Sequence, residues 1–164
     1  MKNLKGTQDL RDRAHIAHGV VMSLAVVLWF PLGIFLLRLL KLNNTIRWHY
    51  IWQCTGLLLL IIGFGLGGWL GYLQDEVYTQ SHEVLGTVIT ALFLLQPLFG
   101  WLHHRHVLAH GIKNYKRGIH VWLGRILVAL GIVNGRTGLK LSDNTTAGGI
   151  VYGVVAGLIV VAYV

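Results

Sequence analysis

His82-Glu83-Val84-Leu85-Gly86 and His120-Val121-Trp122-Leu123-Gly124 are the same H-x-x-L-G string, and each opens a long apolar run. A histidine leading into hydrocarbon is costly unless something takes up its ring nitrogens, so an ionisable residue at membrane depth marks a functional position. His18 and His49 stand at the start of the two earlier apolar runs. Four helices, each with one histidine near its beginning, are therefore the pattern to be explained.

Only 12% of the 164 residues are charged and 54% are hydrophobic, with a mean hydropathy of +0.60. A soluble domain carries about a quarter charged residues, so this surface has too few polar groups for water and calls for lipid. The length suits a single all-α helical bundle without a second, soluble domain. A net charge of +8 in so apolar a chain points to headgroups and topology, and nucleic acid is excluded as a partner. Cys54, the single cysteine, rules out an internal disulfide and reads as a small packing residue.

Residues 1–14 read as a short polar tail. No signal peptide is expected, because the first apolar run is long and lacks a small-residue cleavage site. Five transmembrane helices are expected, at 17–40, 48–73, 82–102, 119–133 and 148–164, since about 20 residues cross a hydrocarbon core. Pro31 should kink the first and Pro97 interrupts the third. Residues 103–118 read as the longest loop, and Asn134-Gly135 as a turn.

Alternating helix direction puts the N-terminal tail and the second and fourth loops on one side, here side A. All six acidic residues fall on or at that side. The other side, side B, holds Arg38, Lys41, Arg47, Arg105, Lys113, Lys116 and Arg117 and no acid. Lys and Arg alone set orientation, and their slight excess makes side B the expected cytoplasmic face.

The same alternation sorts the histidines. His18 and His82 both enter from side A, His49 and His120 both from side B. One neutral imidazole from each of two facing helices can hold a flat iron porphyrin, and two such sites stacked across a bilayer make a path for electrons. At 100° per residue, Gly63, Gly67 and Gly71 lie within about 40° of the azimuth of His49. The ligand face of that helix thus becomes bare towards side A, where the His18–His82 haem would need clearance. Gly100 repeats this for His82, Gly131 lies near the azimuth of His120, and Gly86 and Gly124 clear space one turn beyond their histidines. Close helix packing is the other reading of such a ridge. Gly63, Gly65 and Gly68 also satisfy G-x-G-x-x-G, but without a strand-to-helix switch they make no dinucleotide site.

Trp29 and Phe93 read as core filling between the two levels. Trp48, Trp52, Trp101 and Trp122 on side B, with Trp69 and Tyr72 on side A, fit an interfacial belt. Arg125 either meets a haem propionate or snorkels. His103, His104, His106 and His110 suggest a metal cluster, though loop histidines beside bases are more often solvated. His15 reads as interfacial.

These residues carry a resemblance. Ala17-His18-Gly19 leading to Phe30-Pro31-Leu32-Gly33, then Trp48-His49, His82 to Gly86, Leu95-Gln96-Pro97-Leu98-Phe99-Gly100-Trp101, His120 to Arg125 and Val133-Asn134-Gly135 make residues 15–164 resemble the eukaryotic cytochrome b561 transmembrane domain. The likeness is strongest to the fungal-type, ferric reductase-like form found behind DOMON or cytochrome domains. It implies two b-type haems with His18–His82 and His49–His120 as axial ligands. It also implies one-electron transfer from a cytosolic, ascorbate-like donor to a ferric chelate, monodehydroascorbate or an attached DOMON domain. Expected partners are these small molecules, membrane lipid, an extracellular DOMON or cytochrome domain protein and a second copy in a homodimer. The competing reading is a histidine-based metal or proton transporter, which needs intramembrane carboxylates or broken helices; Glu83 is its one candidate.

Overall fold

The computed structural model describes residues 3–39, 44–112, 114–142 and 146–163. Lys41, Lys113, Asp143 and the side chain of Arg38 lie outside that description, as do Asn43 of the glycosylation sequon at 43–45 and Asn144 and Thr145 of the one at 144–146. Among the described residues all regular structure is helical, as the composition demands. Helix α1 (Gln8–Ser23) runs through a π-helical segment (Leu24–Trp29) into α2 (Phe30–Leu39) as one rod. Then follow α3 (Thr45–Gln74), α4 (Ser81–His110), α5 (Tyr115–Leu141) and the shorter, apolar α6 (Thr146–Tyr163). Four of these rods are long and apolar enough to cross a membrane, and the molecule fits a multi-pass integral membrane protein.

The rods outrun the spans read from hydropathy. Thr7 caps α1 by accepting from the Leu10 N–H, so the helix starts inside the stretch read as a tail and buries Ala14. The expected loop at 103–118 is corrected: α4 continues to His110, and only a short link ending at Asn114 separates it from α5. Polar composition there marks the helix leaving hydrocarbon, not its end. The stop comes at Gly111, whose φ of +70° suits a residue without Cβ. Asn134-Gly135 is no turn either, but lies within α5 with Asn134 buried. Asn134 Nδ2 donates to the His82 carbonyl 3.2 Å away, so its polarity is satisfied by α4.

At Pro31 the irregularity takes the form of the π-helical segment just ahead of it, where the Phe30 N–H reaches the Ala25 carbonyl five residues back. Proline has no N–H to give the preceding turn, and a wider turn relieves that deficit. The segment also lets Trp29 and Trp52 exchange bonds: each indole N–H donates to the other's carbonyl, at 2.9 and 2.8 Å, with the rings stacked at 4.3 Å. Trp52 is thus tied into the bundle, whereas Trp48, Trp101 and Trp122 are exposed. Cys54 faces outward on α3 and is not a packing residue.

Helix α1 packs along α3, and α4 along α5. The N-terminus returns to the far end of α3, where the Lys5 N–H bonds the Leu73 carbonyl at 2.8 Å and the Asn3 N–H bonds Asp75 Oδ2 at 3.0 Å. The tail and the α3–α4 link therefore share side A. Midway along the bundle, Ala25, Val26, Phe30, Leu60, Ile89, Phe93, Leu127 and Val128 close an apolar layer. Phe30 and Phe93 stack across it at 4.5 Å.

Candidate functional site: two histidine pairs across an apolar layer

The structure brings His18 of α1 and His82 of α4 to 6.1 Å between ring centroids, with planes at 85°. It brings His49 of α3 and His120 of α5 to 6.4 Å, at 88°. Each pair stands near one end of the bundle with the apolar layer between. From His18 to Phe30 is about 18 Å along the helix axis, and from His49 to Leu60 a similar distance.

The spacing tests whether a bis-imidazole metal fits. Two metal–nitrogen bonds of about 2 Å, plus roughly 1 Å from each nitrogen to its ring centre, put the centroids about 6 Å apart. Among the described residues no group of three or more His, Cys, Asp or Glu could hold a metal ion. A metal held by two protein ligands must draw the rest from elsewhere, and porphyrin supplies four. The residues fit haem, and they fit it twice.

Ring orientation agrees. The His18 Nδ1–H can donate to the Gly63 carbonyl at 2.8 Å. The His82 Nδ1 lies 3.0 Å from the Asn134 carbonyl and 3.2 Å from Thr137 Oγ1. A carbonyl only accepts, so each Nδ1 is fixed as the donor and each Nε2 keeps its lone pair for a metal. His49 Nδ1 is buried and finds no partner of hydrogen-bond geometry among the described residues, although the Gly33 carbonyl is near. His120 faces the side-chain amide of Gln96.

Close approach explains the bare helix faces in part. A Cβ on Gly67 would come within 2.7 Å of the His18 ring, and one on Gly100 within 3.2 Å of the His120 ring. Gly63 instead packs on Met22, and Gly71 on the Glu76 backbone. Gly86 meets Asn134, Gly124 meets Gln96 and Gly131 meets Val26. Gly138, unremarked in the sequence, does for His82 what Gly67 does for His18, with a 2.7 Å approach. Its signal was available: it lies four residues after Asn134, on the same helix face.

Other candidates fall outside the pairs. Arg125 lies about 140° round α5 from His120. Its guanidinium rests 5.1 Å from the Trp122 ring centre, and with Val128, Ile132 and Ile159 it lines a groove of about 310 Å³. This placement fits a side chain resting on an interfacial tryptophan. His106 and His110 stack at 4.3 Å on the last turns of α4 without assembling a metal-binding group. Glu83 caps α4, accepting from the Thr79 and Gln80 N–H groups at 2.8 and 3.3 Å, which accounts for its position without a cation.

No protein-family profile and no solved structure matches the chain. Two curated proteins of Arabidopsis thaliana are similar, each named a cytochrome b561 and DOMON domain-containing protein. One is 32% identical over 124 residues, covering 73% of this chain and 30% of that protein. The other is 28% identical over 151 residues, covering 90% of this chain and 37% of that protein. The chain thus spans about a third of the length of these relatives. At 32% identity over 73% of its length, this helical bundle belongs to the cytochrome b561 family.

Proposed function

We propose that residues 15–164 form a cytochrome b561 transmembrane domain of the fungal, ferric reductase-like kind. It would carry single electrons across a membrane through two b-type haems, bound by His18 with His82 and by His49 with His120. The observation that carries this reading is the pair of ring separations, 6.1 and 6.4 Å, at opposite ends of one bundle. Haem iron with two axial imidazoles has no open position for oxygen, so the chemistry supplied is reversible one-electron exchange.

The chain's own residues do the rest. Gly63 and Asn134 carbonyls hold two of the imidazoles in the metal-binding tautomer. The Phe30–Phe93 layer keeps water from the space between the sites. Arg47, Lys116 and Arg117 give side B a basic mouth, which raises the local concentration of an anionic donor and speeds its arrival. The donor is an ascorbate-like anion on the cytoplasmic side B, and the acceptor on side A is a ferric chelate, monodehydroascorbate or a DOMON domain such as the relatives' names contain. The transporter alternative loses its one carboxylate to the α4 cap.

Vesicles enclosing a ferric chelate test the whole scheme. External ascorbate should reduce the enclosed iron when the wild-type protein spans the membrane. His82→Ala and His120→Ala should each stop the transfer. Transfer that survives either substitution would overturn the two-site path.

A further inference from the structure

The partners of the imidazoles differ in kind. Gly63 and Asn134 present backbone carbonyls, which can only accept. His120 has the Gln96 backbone carbonyl near it as well, but it also faces that residue's side chain, which has two ends. One terminal atom of the Gln96 amide lies 2.8 Å from His120 Nδ1 and 3.2 Å from the His120 carbonyl oxygen, and the other lies 3.0 Å from the Gly124 nitrogen. Gln96 is only 9% exposed.

Either end of that amide can be turned to the ring. With the NH2 group towards Nδ1, the imidazole accepts there, its proton sits on Nε2, and Nε2 is closed to a metal. With the carbonyl towards Nδ1, the Nδ1–H donates and the Nε2 lone pair is free. At these positions the second arrangement sets the amide oxygen 3.2 Å from the His120 carbonyl oxygen and the NH2 3.0 Å from the Gly124 nitrogen, so the amide must turn slightly to relieve two like-on-like contacts. Those two groups stand four residues apart within α5 and serve each other in the helix ladder, so neither is orphaned.

We infer that Gln96 is the positioning residue for His120: its amide carbonyl takes the Nδ1–H when Nε2 binds metal, and so sets how strongly this imidazole donates to iron. The inference rests on the reading of His49 and His120 as haem ligands. It adds a replaceable amide beside His120 where His18, at the other end of the bundle, has a backbone carbonyl. A stronger acceptor at this point makes the imidazole more electron-rich and favours ferric iron, while an absent acceptor does the reverse.

Redox titration of the purified full chain, with haem counted per chain and low-spin resonances recorded, tests it. His120→Ala identifies the reduction wave that belongs to this site. Gln96→Glu should keep two haems and move that wave to lower potential, leaving the other in place. Gln96→Met, of similar volume and without an acceptor, should move the same wave upward or reduce haem occupancy at that site alone. If the methionine variant does not fold, the glutamate variant decides alone by its downward shift. Shifts of the same sign in both variants, shifts shared by both waves, or no shift in Gln96→Glu would overturn the role given to Gln96. A wild-type protein with no His120-dependent haem would instead remove the reading beneath it, and is distinguishable because it appears before any Gln96 variant is made.

Discussion

The side-A pair and the side-B pair have nearly the same ring separation, yet they are held differently. At side A, His18 and His82 each face a backbone carbonyl from a neighbouring helix, His82 with Thr137 Oγ1 beside it, and a Cβ on Gly67 or Gly138 would come within 2.7 Å of the His18 or the His82 ring. At side B the glycine approach is looser, 3.2 Å at Gly100. There His120 faces the Gln96 side-chain amide with that residue's backbone carbonyl also near, and His49 Nδ1 lies near the Gly33 carbonyl without hydrogen-bond geometry. A site built on backbone is stiff and changes only when helices move. If Gln96 serves His120 as proposed, one substitution there would tune the side-B potential without repacking the bundle.

The largest expected effects break one end and spare the other. His18→Ala or His82→Ala should remove the side-A haem and leave the side-B haem, with His49→Ala and His120→Ala doing the converse, as read from haem content and the surviving spectrum. Loss of the same haem from His49→Ala and His82→Ala would refute the pairing. Next comes Gly67→Ala against Gly100→Ala. The first forces a Cβ into the His18 ring and should deplete or distort the side-A haem, whereas the second needs only a small give and should retain the side-B haem.

Much of this comparison was legible in the sequence. Helix direction alone sorts His18 with His82 and His49 with His120, because a histidine's position at the start of a span fixes its side of the membrane. The Gly67 and Gly100 clearances follow from helical phase. The second layer was not legible. Asn134-Gly135 has the composition of a turn, and only the packing of α4 on α5 reveals Asn134 as a clamp on His82. Gln96 was visible as a letter in a motif, but its contact with His120 depends on how two rods cross. The π-helical segment leaves no compositional trace beyond Pro31, and the histidines from 103 to 110 read as loop because a helix emerging into water becomes polar before it ends.

Smaller effects sharpen the contrast. Asn134→Ala removes the amide donor to the His82 carbonyl but keeps the backbone carbonyl that faces His82 Nδ1. It should cost about 1 kcal/mol of stability in denaturation with haem retained; loss of the side-A haem would mean that the side chain, not the backbone, orients His82. Smallest in free energy is the side-B mouth. Replacing Arg47, Lys116 and Arg117 by Gln should slow reduction by ascorbate severalfold and flatten its dependence on salt, since exposed charges act over about 8–10 Å at ordinary ionic strength. Rates indifferent to both mutation and salt would move the donor to the other face.

The central claim is that one chain holds two bis-imidazole haems. The most direct measurement is the absorption and electron paramagnetic resonance spectrum of the purified protein, before and after dithionite, with haem counted per chain. The account predicts two haems, both six-coordinate and low-spin in the ferric state. One haem per chain, none, or a high-spin ferric signal would contradict it.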